Sequence, residues 1–206
     1  MLRAIVLSLF LGFAAGQAQA TTAAVDHPGA LPILLGLDKV RAELKVNSLQ
    51  RAVLDSLRSE YKAEVRKLTS PMPQTAEQRT AAEKQLLQLT DRYNRRALSV
   101  LNDNQKVRLV QIEHQLLGAT ALFQPSVQKK VGVTSAQRTQ FEAIRQKGLV
   151  YVGKINRQFE EGRIGYQEKL DLLRDRRLSQ GETLLKLLTP EQRDAFNSLG
   201  GTKIAG

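Results

Sequence analysis

The sequence predicts an all-α fold made of two tandem long helical hairpins, each with shorter capped helices. Three observations lead there. One short phrase occurs four times, as Val46-Asn47-Ser48-Leu49-Gln50-Arg51, Leu101-Asn102-Asp103-Asn104-Gln105-Lys106, Val133-Thr134-Ser135-Ala136-Gln137-Arg138 and Leu188-Thr189-Pro190-Glu191-Gln192-Arg193. The long segments between the phrases space their apolar residues three and four apart, the period of a helix buried on one face, and no strand-like alternation interrupts them. Finally, the phrases are regularly placed: Asn47 and Asn102 lie 55 residues apart, as do Thr134 and Thr189, and Asn47 and Thr134 lie 87 apart. The chain is therefore an internal duplication with two phrases in each half.

The phrase has a physical reading. Asn or Thr at the N-cap accepts a hydrogen bond from an early backbone N–H of the helix, and Gln three residues on reaches back to the N-cap N–H. The predicted capping pairs are Asn47 with Gln50, Asn102 with Gln105, Thr134 with Gln137 and Thr189 with Gln192. Pro190 falls at the first helical position, where its missing N–H costs nothing. Apolar residues four and seven places after each Gln (Leu54 and Leu57, Leu109 and Ile112, Phe141 and Ile144, Phe196 and Leu199) share one helix face. Thr75-Ala76-Glu77-Gln78 is a weaker version and reads as an ordinary helix cap.

In chain order, residues 1–20 hold Arg3, an apolar run from Ala4 to Ala15 and the small-x-small site Ala18-Gln19-Ala20. That is the pattern of a secretory signal peptide cleaved after Ala20, and it predicts a periplasmic chain. Residues 21–36 are expected to be a mobile leader, 37–122 the first helical repeat, 123–200 the second, and 201–206 a frayed tail. In the first repeat a helix carries Leu49, Val53, Leu57, Tyr61, Val65 and Leu68, and Ser70-Pro71-Met72-Pro73 ends it. Its return helix carries Ala82, Leu86, Leu89, Tyr93, Ala97 and Val100. Gly118 to Gly132 joins the halves through a short helix or turn. The second repeat carries Phe141, Ile144, Val152, Ile155 and Phe159, breaks at Gly162 to Gly165, and returns with Tyr166, Leu170, Leu173, Leu184 and Leu187. Gly148, Gly153 and Gly181 fall inside helices, either for close helix approach or for flexing.

Composition narrows the function. The chain of 206 residues has no Cys, which removes disulfide scaffolds, thiolate metal sites and thiol catalysis. Only His27 and His114 could serve a transition metal, and His114 has no ligand partner one helical turn away, so no metal site and no cofactor are expected. Acidic pairs such as Glu160 with Glu161, or Asp171 with Asp175, lie among Arg and Lys as a solvated charge lattice, and no catalytic constellation is expected. The chain reads as a non-enzyme. Lys and Arg outnumber Asp and Glu by 31 to 20, for a net charge of +11. Arg66 and Lys67 on the first long helix, and Lys147 and Lys154 on its duplicate, are the expected contacts to an acidic or amphipathic partner. An anionic envelope surface follows the same charge logic, whereas nucleic acid does not, because the aromatic residues lie on the core stripe.

The phrase Leu188-Thr189-Pro190-Glu191-Gln192, with its upstream partner Val133-Thr134-Ser135-Ala136-Gln137, resembles the LTxxQ motif family, which includes the Spy chaperone, the CpxP stress proteins and related metal-resistance sensors. The two Asn-containing phrases replace Thr by another good N-cap residue. Family members usually carry one pair of phrases and form a cradle-shaped helical dimer. The two pairs here resemble such a dimer fused in tandem, implying a monomeric pseudo-dimer or a homodimer. The resemblance implies an ATP-independent envelope-stress chaperone whose partners are unfolded or partly folded envelope proteins. The alternative is a non-catalytic helical accessory or structural module serving an envelope sensor protein, with metal-resistance sensing a less favoured variant.

Overall fold

The computed structural model describes residues 29–70 and 75–204. Among the described residues the fold is all-helical, with no strand. The helices are α1 (Leu31–Leu34), α2 (Asp38–Glu43), α3 (Ser48–Thr69), α4 (Ala76–Val100) and α5 (Asp103–Leu117). After the 3-10 helix Gly118–Phe123 come α6 (Pro125–Val131), α7 (Ser135–Glu160), α8 (Tyr166–Lys186) and α9 (Pro190–Ser198). The helix starts repeat at the 87-residue offset: Ser48 answers to Ser135, Asp103 to Pro190, Asp38 to Pro125 and Leu31 to Gly118. The signal peptide expected over 1–20 lies outside the described residues, and no described helix is long and apolar enough to cross a membrane.

The chain forms two compact units divided between Val110 and Gln111, within α5. In the first unit α3 and α4 pair as a hairpin, and α1 packs on both. The core joins Leu31, Leu34, Leu35, Leu54, Leu57, Tyr61, Leu89, Tyr93 and Ala97, all buried. Tyr61 and Tyr93 meet edge to face with ring centres 5.6 Å apart, and the Tyr61 hydroxyl lies 3.0 Å from Thr90 Oγ1, so its polar end is satisfied inside the core.

In the second unit α7 and α8 form the corresponding hairpin, and the 3-10 helix packs on both while α9 packs on α6. Its core holds Ala121, Leu122, Val127, Val131, Val133, Phe141, Leu184 and Leu188. Gly148 and Gly181 are sites of close packing. A Cβ at Gly148 would sit 2.0 Å from Gln180 Nε2, and one at Gly181 3.1 Å from Ala119 Cβ, whereas Gly153 has open space beside it.

Two expectations change. Residues 30–36, assigned to a mobile leader, include α1, and Leu31, Leu34 and Leu35 are buried. The cause is Asn94 on α4: its Oδ1 accepts from Leu31 N–H at 2.8 Å and its Nδ2 donates to the Gly29 carbonyl at 2.9 Å, which fixes the start of a helix too short to hold itself. The tail expected to fray from Gly201 is tied at its beginning, where Gln115 Nε2 donates to the carbonyls of Gly200 and Thr202 at 2.6 and 2.7 Å.

Candidate functional site

Each capping phrase makes the bonds its residue types allow. Asn47 Oδ1 accepts from Gln50 N–H at 2.8 Å while Gln50 Oε1 accepts from Asn47 N–H at 3.2 Å. Asn102 and Gln105 do the same at 2.9 Å in both directions. Thr134 with Gln137 and Thr189 with Gln192 form the equivalent boxes in the second unit, and Thr75 with Gln78 forms one at the start of α4.

The four glutamines are also joined in pairs. Gln50 Nε2 donates to Gln105 Oε1 at 2.8 Å and Gln105 Nε2 donates back to Gln50 Oε1 at 3.0 Å. Each amide has a second donor bond, Gln50 to the Val100 carbonyl at 2.8 Å and Gln105 to the Leu44 carbonyl at 3.0 Å. In the second unit Gln137 and Gln192 exchange the same two bonds at 2.7 and 3.0 Å. There the spare hydrogens go to the Leu187 carbonyl at 2.7 Å and the Gly132 carbonyl at 2.9 Å. Every glutamine thus spends one oxygen on its own N-cap and on its partner, and two hydrogens on its partner and on the end of the helix or turn that leads into its partner's helix. This clasp locks the start of the long helix to the start of the short one. A sequence reader sees only the bond within each box; the sole signal of the clasp is the shared 55-residue spacing.

The four expected basic contacts are exposed but are not equivalent. Lys67 lines a cleft of about 510 Å³ between α3 and α4, together with Glu64, Leu68, Gln88, Arg92 and Arg95. Within it Arg92 is paired with Glu64 at 2.5 Å, and Arg95 with Asp91 at 2.8 Å. Arg66 does not line that cleft. In the second unit Lys147 lines a smaller cleft of about 170 Å³ between α7 and α8, with Ile144, Arg176, Ser179, Gln180 and Thr183. Lys154 does not line it. The sequence reading missed Arg92 and Arg95, whose spacing resembles an ordinary solvated helix face.

His114 is buried, and its Nδ1 lies 3.3 Å from the Leu199 carbonyl oxygen, where it holds the end of α9. Burial pushes its imidazole below the usual range, an effect that the bond to Leu199 partly opposes. Among the described residues no cluster of three or more His, Asp or Glu could hold a metal ion; His27 lies outside them. Around the long helices, hydrogen bonding tunes single carboxylates. Arg145 and then Gln146 hold the Glu142 carboxyl down at about 2, and Arg41 lowers that of Asp55.

The chain matches no protein-family model, no curated protein and no solved structure.

Proposed function

We propose that this chain is an exported, ATP-independent chaperone of the periplasm with a tandem Spy/CpxP-like arrangement, binding unfolded or partly folded envelope proteins on basic, partly apolar helical surfaces. The observation that carries the reading is the cleft beside Lys67, where Leu68 and Leu89 line the same space as Lys67, Arg92 and Arg95, with Glu64 the one acidic residue of the lining. Long side chains of this kind offer apolar stems to a bound segment while keeping their charge in water. A two-helix hairpin also leaves apolar residues half-covered beyond its core, as at Val65, Leu68, Leu86 and Leu87. Such a surface attracts acidic chains at long range and holds them weakly, which suits variable clients better than one fixed partner.

The test is fluorescence anisotropy of a labelled acidic protein, held unfolded by destabilising substitutions and compared with its native form. The expected result is binding of the unfolded form alone, weakening as salt rises from low to physiological ionic strength. Equal binding of both forms, or of neither, refutes the chaperone reading. A single tight, stoichiometric partner recovered by pull-down identifies the accessory module instead.

A further inference from the structure

The duplication lets each half serve as a reference for the other. At the 87-residue offset, the second cleft's Lys147, Arg176, Ser179, Gln180 and Thr183 answer to Glu60, Leu89, Arg92, Tyr93 and Arg96 of the first hairpin. The register is fixed in three dimensions, because Gln50 reaches Val100 and Gln137 reaches Leu187 through the same bond. In the first hairpin this position contains its own carboxylate. Glu60 accepts from Arg96 Nη1 and from Ser56 Oγ, each at 2.9 Å. At this position Glu60 and Arg96 neutralise each other.

In the second hairpin the carboxylate is gone and its place is taken by a cation. Lys147 stands on α7 opposite Arg176 on α8, and none of the six cleft-lining residues is acidic. Among the described residues neither Lys147 nor Arg176 forms an ion pair, and Arg176 Nε is buried with no hydrogen-bond partner. The Arg176 guanidinium is held in place by the Tyr151 ring, 5.3 Å from its centre. Gln180 Nε2 is occupied by the Ile144 carbonyl at 3.1 Å, and Thr183 Oγ1 by the Ser179 carbonyl at 2.8 Å. The donors left in the lining are therefore the cations Lys147 and Arg176, the Ser179 hydroxyl and the second amide hydrogen of Gln180. Two cations and a hydroxyl around an opening of about 170 Å³ make a receptor for one oxyanion.

We infer that the cleft between α7 and α8 binds a carboxylate from outside the hairpin, the side chain of an Asp or Glu in a bound polypeptide, where the first hairpin supplies Glu60 from within. Carboxylate is the chemistry that the matching position of the first hairpin already holds. The inference rests on the proposed function only for the polypeptide that brings the carboxylate.

The test uses the full chain and two short unstructured peptides that differ in one central residue, Glu in one and Gln in the other. Amide signals of residues 144–151 and 176–183 are followed by NMR. The expected result is saturable shifts with the Glu peptide and at least tenfold weaker binding of the Gln peptide. Two substitutions that rebuild the first hairpin's chemistry, Lys147→Glu and Arg176→Leu, are each expected to weaken Glu-peptide binding at least tenfold. Circular dichroism checks that both variants remain helical. Lys147 is exposed, so Lys147→Glu retains the fold and keeps the test decisive if Arg176→Leu unfolds. Equal binding of the two peptides, no binding of either, or undiminished binding in Lys147→Glu overturns the site. So does inorganic phosphate that saturates these signals while the Glu peptide leaves them unmoved. Aggregation suppression that persists while the peptides are not distinguished removes this site and leaves the proposed function intact.

Discussion

Replacing Gln137 by Ala tests the clasp most sharply. The side chain makes four hydrogen bonds: it accepts from Thr134 N–H at 2.9 Å and from Gln192 at 3.0 Å, and donates to the Leu187 carbonyl and to Gln192, both at 2.7 Å. A net worth of roughly 0.5–1.5 kcal/mol per bond would total about 4 kcal/mol. The site is only part-buried, so water replaces some of that, and the expected loss is about 2–3 kcal/mol. With a urea dependence of roughly 1–3 kcal/mol per molar, the second unit's unfolding midpoint falls by about 1–2 M. Thr134→Ala removes the cap alone and is expected to cost about 1 kcal/mol. A double-mutant cycle of Gln137→Ala with Gln192→Ala isolates the two reciprocal bonds, with an expected coupling of about 1–2 kcal/mol. The assay is urea unfolding followed by far-ultraviolet circular dichroism. A loss no larger than that of Thr134→Ala, with additive double-mutant effects, would show that the glutamines act only as caps and refute the clasp.

Further perturbations have equally definite outcomes. Asn94→Ala leaves the Leu31 N–H and the Gly29 carbonyl without their partner; the expected cost is about 1–3 kcal/mol, with faster hydrogen exchange across Leu31–Leu35. Gly148→Ala pushes the Gln180 amide away from the Ile144 carbonyl, for an expected loss of about 1 kcal/mol that largely disappears when Gln180 is also Ala. The Glu142 carboxyl lies at about 2 in the folded chain against an ordinary 4.5. Between those values the unfolded chain binds more protons, so stability is present above about 4.5 and is lost as pH falls toward 2. Glu142→Gln is expected to flatten that part of the stability profile, measured as urea midpoints against pH.

What the sequence made legible was local. A capping box joins residues three apart, so Asn47 with Gln50 or Thr189 with Gln192 can be read directly, and so can helices whose apolar residues keep a strict three-and-four spacing. The clasp was hidden because it joins Gln50 to Gln105, whose separate boxes look complete in themselves. The helix at Leu31–Leu34 was hidden for a similar reason: a four-residue helix has no period to detect, and the group that fixes it, Asn94, lies 63 residues beyond Leu31. Lys147 was legible as a basic residue on a long helix. Its setting was not, since the contrast with Glu60 acquires meaning only once the two hairpins show Arg96 closing one cleft and Thr183 leaving the other open.

The central claim is that these basic helical surfaces hold unfolded chains without ATP. Its most direct test is light scattering of a denatured model protein diluted into buffer containing the purified chain from Thr21 onward, at low and at high salt. The prediction is suppression of aggregation near stoichiometric ratio, weakened by salt and by charge reversal at Lys67 and Lys147 together. Aggregation that proceeds unchanged at several-fold excess of the chain would contradict it.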